Sequence, residues 1–395
     1  MTRNAFVSKR GQGILFVTLG MGVIGFAAGL YLNNERVWAS YLQNSVFFLT
    51  LSLGALVFVS INRVANAGWD TVIRRVPEAM LSYLPLGSLL MLVVFFGRHR
   101  LYEGLRTFFA FGNETMHFKN AWLSTPFFFG RMILFLGLWT LFALLIKRES
   151  RRQDSSDSII HTRRIKRYAA IFLAVFGLTF TLASFDWLMS IEPLFYSTIY
   201  AFYVIAGILL SGFASITVLV ILLRRQGLLP EVNDHHLHNL GKLVFGFSTF
   251  WAYIWLCQYL LIYYANLPEE TIYYIRRMQT PAWKTLFFAN ILLNWLIPFA
   301  LLLPRSVKKS GGWLMTACVI VLIGHWIDLY VMIFPAYEYS AVLGLVDVAI
   351  VVGFASLFIQ SVASGLSKSA LVPVNDPYLQ ESLWQEPRES ADSLA

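Results

Sequence analysis

His325 and Asp328 sit three residues apart in the stretch HWIDLYVMIFP, inside a long apolar run. Residues at that spacing share a helix face. An imidazole titrates near neutral pH, and a carboxylate one turn away can orient it and accept its proton. Such a pair can hydrogen-bond a quinone carbonyl, or take a proton from a quinol hydroxyl as a general acid–base couple. Asp186, Arg131 and Asp347 also fall inside apolar runs, with Gln258, Asn290 and Asn294 as amide partners. Inserting an ionisable side chain into a bilayer costs roughly 2.5–3.5 kcal/mol, so each is a functional candidate. A plainer reading stands beside this one. Asp186 and Asp328 each precede a proline and could close a helix at the membrane surface, with Arg131 a buried ion-pair partner that fixes packing.

Other chemistries lack their residues. A membrane b-type haem needs two His on facing helices, but only His325 lies well inside an apolar run and His99 is at an edge. Cys257 and Cys318 are isolated, with no Cys-x-x-Cys and no Cys-x-x-Cys-His, which argues against iron–sulfur and c-type haem ligation by this chain. No Walker loop is present. The His235-His236-x-His238 cluster precedes an apolar run and reads as a solvated loop, with a metal site as the alternative. No metal or covalent cofactor is expected from these residues, and lipids are expected contacts.

The elements that must position these groups follow from composition. Of 395 residues, 57% are hydrophobic, 16% aromatic and only 13% charged, against about 25% charge in a soluble domain. Such a chain cannot cover a water-facing surface, which excludes a soluble enzyme, a disordered protein and a disulfide scaffold. A spanning helix needs about 20 apolar residues. Ten runs qualify: Gln12–Leu32, Tyr41–Ile61, Ala79–Phe96, Thr125–Ile146, Tyr168–Leu188, Ser197–Leu223, Lys242–Ala265, Trp283–Leu303, Trp313–Phe334 and Ala341–Ala363. Transmembrane β-strands would be ~10 residues of alternating polarity, unlike these continuous runs. The first run is too long for a cleavable signal, and Asn33, Asn34, Glu35 and Arg36 follow it in place of a cleavage site. The fold class is therefore an all-α integral membrane protein, with residues 1–11 and 364–395 as short ends around a ten-helix domain over 12–363.

Of the 31 Lys and Arg, 22 fall on the side that carries both termini and eight on the other (Arg36, Arg98, Arg100, Arg106, Lys119, Arg276, Arg277 and Lys284). Arg131 is within a span. By the positive-inside rule both termini are cytoplasmic. The net charge of +9 thus reads as topology and contact with anionic headgroups, not as a nucleic-acid surface. The Lys147–Arg167 stretch becomes a cytoplasmic loop, and the residues beyond Ala363 a mostly irregular, solvated tail. In this topology the intramembrane polar groups gather in the outer half.

An internal echo adds a second layer. Asp186 to Pro193 and Asp328 to Pro335 share an Asp, six residues and a Pro, each followed by Tyr-Ser. Thr125-Pro126 and Thr280-Pro281 open spans four and eight. The two pairs are 142 and 155 residues apart, which suggests two parallel four-helix bundles, 41–190 and 197–335, with spans one and ten outside.

With these spans, the FDWLMSIEP segment from Phe185 to Pro193 and the HWIDLYVMIFP segment, the chain resembles the NrfD-like (polysulphide-reductase-type) membrane subunits over about residues 10 to 365. Within that family the pattern is most similar to the second such subunit (quinone-binding subunit 2) of bacterial alternative complex III, a quinol:cytochrome c oxidoreductase. The resemblance implies a bacterial inner-membrane subunit without its own redox cofactor. It implies assembly with iron–sulfur and multihaem cytochrome c subunits and a second NrfD-like membrane subunit, and menaquinol as electron source. It also implies a quinone pocket at the outer end of a bundle, where Asp186, His325 and Asp328 match the family's polar positions.

The leading expectation is thus a subunit of a quinol-oxidising, proton-translocating complex that contributes a quinone-site-like bundle, a proton route or a scaffold. A route from the cytoplasm would need inner-half polar groups, for which Thr217, Ser248, Thr249 and Asn294 are the candidates. The alternatives are a stand-alone proton-coupled transporter, for which Pro85 and Pro298 supply interrupted spans, and a purely structural anchor.

Overall fold

The computed structural model describes residues 6–32, 36–102, 117–156, 158–337 and 339–383. Arg3, Asn33–Glu35, Arg106, Pro387 and Arg388, which serve as boundary or side markers in the sequence, lie outside them. Among the described residues the chain is helical without a strand, as lipid requires of backbone that must satisfy its own hydrogen bonds. In chain order the helices are α1 (Lys9–Tyr31), α2 (Val37–Val64), α3 (Arg75–Met80), α4 (Leu84–Leu92), α5 (Val94–Leu101), α6 (His117–Trp122), α7 (Thr125–Gln153), α8 (Ile160–Trp187) and α9 (Tyr200–Arg225). Then come α10 (Asp234–Ala265), α11 (Pro268–Met278), α12 (Pro281–Ile291), α13 (Ile297–Leu302), α14 (Arg305–Lys309), α15 (Gly311–Ile333), α16 (Leu345–Ser367) and α17 (Leu379–Leu383). Among the described residues nine helices are long and apolar enough to span a bilayer, or ten if the bent α3–α5 segment is one span.

Three departures from the sequence expectation have local causes. The third span is not one rod: Pro85 has no N–H and crowds the preceding turn, the helix restarts at Leu84, and α5 leaves the line of Arg75–Leu92 at 47°. The eighth span carries a π-turn over Leu292–Leu296 between α12 and α13. Pro298 cannot donate to the Asn294 carbonyl, and the backbone takes the wider turn just before it. The seventh span begins eight residues earlier than its apolar run, at Asp234. Asn233 caps it, accepting from the His235 and His236 amides at 3.0 and 3.1 Å. The three-His cluster is therefore the first turn of α10, not a loop. His236 is fully buried and bonds Ser382 at 3.2 Å.

α2 is the central post. It is buried over 94% of its apolar window, whereas α1 is buried over only 11%. With α4, α7 and α8, α2 closes one ring of neighbours, and α9, α10, α13 and α15 close a second. The rings meet where α2 crosses α9 at Gly54 and Gly212. A Cβ on Gly54 would lie 2.7 Å from the Ile208 carbonyl oxygen, so only glycine permits the approach. α1 pairs with α16 outside both rings, through Gly22 against Gly353.

The tail is not a solvated extension over its described part. Asp376 is buried between Arg74 and Arg63, and Ser382 accepts from the Val72 amide at 3.2 Å and donates to the Trp69 carbonyl at 3.0 Å. Arg63 also pairs with Asp70 at 2.8 Å and Arg75 with Glu78 at 2.7 Å, so these bases, surface charges by sequence, belong to a buried network. Burial opposes the charge on Asp376, but Arg74 and Arg63 outweigh it and hold its carboxyl below the usual range.

Candidate functional site

The polar cluster of the second ring is built on four elements. α15 supplies His325 and Asp328, both almost fully buried, with the His325 Nδ1 3.8 Å from Asp328 Oδ2. α12 supplies Asn290, whose Nδ2 donates to Asp328 Oδ1 at 2.6 Å. α9 supplies Tyr203, whose hydroxyl donates to the same oxygen. The π-turn supplies Asn294, whose amide donates to the Asn290 carbonyl at 3.1 Å and also to its side-chain oxygen. Asp328 lies five residues before the end of α15, so it does not close a helix.

One side of this cluster is saturated and the other is open to a partner. Among the described residues, Asp328 Oδ2, both ring nitrogens of His325 and Asn294 Oδ1 are buried without a hydrogen bond. Buried polar atoms left unpaired cost about 1–3 kcal/mol each, and such atoms mark a strain reservoir, a ligand or a catalytic role. Packing holds the imidazole in place. A Cβ on Gly207 would lie 2.7 Å from its Cε1, and the Phe47 ring lies 5.9 Å from it, centroid to centroid. Phe47 also lines an apolar surface groove of about 390 Å³ between α2, α15 and α16, together with Leu322, Trp326 and Val351. Phe47 thus packs near the imidazole and also lines this groove.

The other expected residues go elsewhere. Arg131 and Asp186 pair in the first ring, Nε to Oδ2 at 2.8 Å, and the Trp122 indole donates to Asp186 Oδ1 at 2.9 Å. Arg131 also lies over the Trp122 ring, 4.0 Å from its centroid. Asp186 is in the last turn of α8, where the helix dipole disfavours a carboxylate and the guanidinium compensates. Asp347 caps α16 by accepting from the Gly344 amide at 2.7 Å, and pairs with Arg36 at 3.2 Å. Gln258 is buried on α10 with Oε1 unpaired, and no hydrogen bond joins it to the cluster among the described residues. Thr217, Ser248 and Thr249 each donate to a carbonyl of their own helix. The aromatics of α10 divide: Trp251 is buried against Tyr203, while Tyr253, Tyr263 and Tyr264 are exposed.

Two groups carry no signal in the sequence. Tyr203 is one more aromatic in an apolar run. Arg277 falls among the surface bases of a loop, yet it is 1% exposed and donates to Glu192 at 2.7 Å and to the Met332 carbonyl at 2.6 Å. It ties the 186–193 segment to the 325–335 segment. Burial opposes the charge on Arg277, but Glu192 together with Tyr273 and Tyr200 more than offsets it and raises its pKa.

A family model described as polysulphide reductase, NrfD, matches residues 30–341, most of the chain. The chain belongs to the NrfD family. Comparison with curated proteins gives no match. NrfD membership makes it a multi-pass membrane subunit of the redox, quinone-related kind, and NrfD proteins typically partner iron–sulfur proteins in redox complexes.

Proposed function

We infer that this NrfD subunit serves a quinol-oxidising complex of the alternative complex III type, with the His325–Asp328 cluster as its quinone-facing and proton-accepting site. The observation that carries this reading is the set of unpaired buried atoms: two imidazole nitrogens and one carboxylate oxygen lie within one helix turn, near an apolar groove of about 390 Å³ that Phe47 also lines. A bound quinol supplies two electrons and two protons. His325 can accept the two hydroxyl protons in turn at a ring nitrogen, releasing the first to bulk water before taking the second. Asp328 can stabilise the resulting imidazolium across 3.8 Å, while Tyr203 and Asn290 hold the carboxylate in place. The electrons leave to partner iron–sulfur and multihaem cytochrome c subunits, and a second NrfD-like subunit sits alongside in the bacterial inner membrane with both termini inside. The two rings read as copies of one ancestral four-helix unit, and among the described residues the second carries an imidazole beside its aspartate.

Asp328→Asn is the decisive test. Its amide oxygen can still accept from Tyr203 and Asn290, so the fold should hold while the charge beside His325 is lost. Quinol:cytochrome c turnover of the assembled complex should fall by about a hundredfold, the lower range for a lost acid–base group. Unchanged turnover would reduce the cluster to scaffold. Ion-coupled uptake by the purified subunit alone, without haem or iron–sulfur absorbance, would favour a transporter instead.

A further inference from the structure

We propose that the basic end of α7 is a binding site for an anionic phospholipid, preferably one carrying two phosphodiesters on a shared glycerol bridge. Lys147, Arg148, Arg151 and Arg152 stand at successive turns of one helix, in two pairs four residues apart. With Leu144 and Ser155 they frame a groove of about 470 Å³. Lys147 turns inward and donates to Ser82. Side chains three and four apart on a helix are neighbours, so Arg148 stands beside Arg151 and Arg152 and the three guanidiniums present adjacent cationic seats, as two linked phosphates require.

The charges there are poorly compensated. Glu149 is shared by Arg152 at 2.9 Å, His161 at 2.8 Å and Arg164 at 3.5 Å. Asp154 is engaged by Arg75 from α3. Among the described residues Arg148 and Arg151 have no acidic partner, and Arg151 Nη2 is buried without a hydrogen bond. Lys368, at the end of α16, lies close enough to Lys147 to add a further positive charge, and Glu78 is already engaged by Arg75 and Arg74. A soluble anion would satisfy the charges but not the floor. Leu144 is exposed one turn further along the same stripe and continues into the apolar face with exposed Leu141. Cationic heads above an apolar stripe, where a helix leaves the bilayer, match a headgroup with its acyl chains attached. The site is independent of the redox reading, since no residue of it touches the His325 cluster.

The test is native mass spectrometry of the full chain in its complex, reconstituted with a defined mixture of phosphatidylethanolamine, phosphatidylglycerol and cardiolipin, and then stripped by detergent. The wild type should retain cardiolipin selectively. R148Q/R151Q should retain it about thirtyfold less, as expected for two interfacial bases, while R148K/R151K keeps it. R163Q/R167Q, which removes the same charge from the neighbouring exposed stretch, should leave retention unchanged. Equal loss in R163Q/R167Q, or undiminished retention in R148Q/R151Q, would overturn the site. Displacement by millimolar inorganic phosphate would assign the groove to a soluble anion and overturn the lipid. Should R148Q/R151Q not assemble, wild-type retention must fall with added salt, and salt-independent retention would sink the proposal.

Discussion

Asp328 accepts two hydrogen bonds at one oxygen and none at the other, and that asymmetry separates it from Asp186. Asp186 spends both oxygens on Arg131 and Trp122, so its chemistry is closed. Asp186→Asn should therefore act on stability. Leaving the buried Arg131 guanidinium without its counter-charge costs about 3–5 kcal/mol, measured as a lower thermal midpoint, with turnover of the surviving complex near normal. Gly207→Ala should do the reverse. Its Cβ would overlap the His325 ring edge, so the imidazole must move, and turnover should fall toward that of His325→Gln while the complex still assembles. Gly130→Ala, whose Cβ meets nothing within 4 Å, is the control and should change neither. A parallel fall in assembly for Gly207→Ala would point to packing instead. His325 and Asp328 are legible as chemistry because a charge in an apolar run is conspicuous. Tyr203 and Arg277 are not: a tyrosine among aromatics resembles an interfacial belt, and two adjacent arginines before a proline resemble a surface loop. Only the fold shows that both point inward.

The spans are readable because length and hydropathy decide them. Their interruptions depend on backbone geometry, which composition does not report. Pro85 and Pro298 are visible as breaks, but what the backbone does at each is not. At Pro298 the relief takes the form of a π-turn that carries Asn294 toward Asn290, and so toward the carboxylate. Pro298→Ala restores the missing donor and permits a regular α-helix, which would turn Asn294 away from its present partner. The complex should assemble with an unchanged or raised thermal midpoint, because a helix-interior proline is removed, yet turnover should drop. Full activity in Pro298→Ala would show that the bulge merely accommodates proline. Helix starts are hidden where capping outruns the apolar pattern: Asn233 begins α10 a full two turns before Lys242, the first residue of the expected span.

At the scale of the whole molecule, the two rings are joined by the α2–α9 glycine crossing in the interior and by the tail at the basic end. The tail is misleading in sequence because its prolines and acids resemble solvated linker. An acid buried against two arginines cannot be told from an exposed one without the fold. Ser382 bonds both the Trp69–Val72 turn and His236 of α10, and Asp376 sits between Arg63 and Arg74, so the strap fastens the end of α2, the α3 approach and α10 together. Asp376→Asn should release it at neutral pH, seen as rapid proteolysis after residue 370 and fast amide exchange over Pro373–Leu383. The pH dependence has a definite sign. The docked carboxyl lies below its ordinary value, so docking is fully stabilised above about pH 4, the ordinary carboxylate range, and is lost as pH falls through the lower docked value. Asp70 works the other way. Burial pushes its carboxyl up despite Arg63 and Arg74, so it takes up a proton first on acidification and leaves both arginines to Asp376. The strap should consequently remain protected from protease between neutral pH and about pH 4 and open only below that range. Opening between about pH 5 and 6 in the wild type, well above the ordinary carboxylate range, would mean that Asp376 is not the group that holds it.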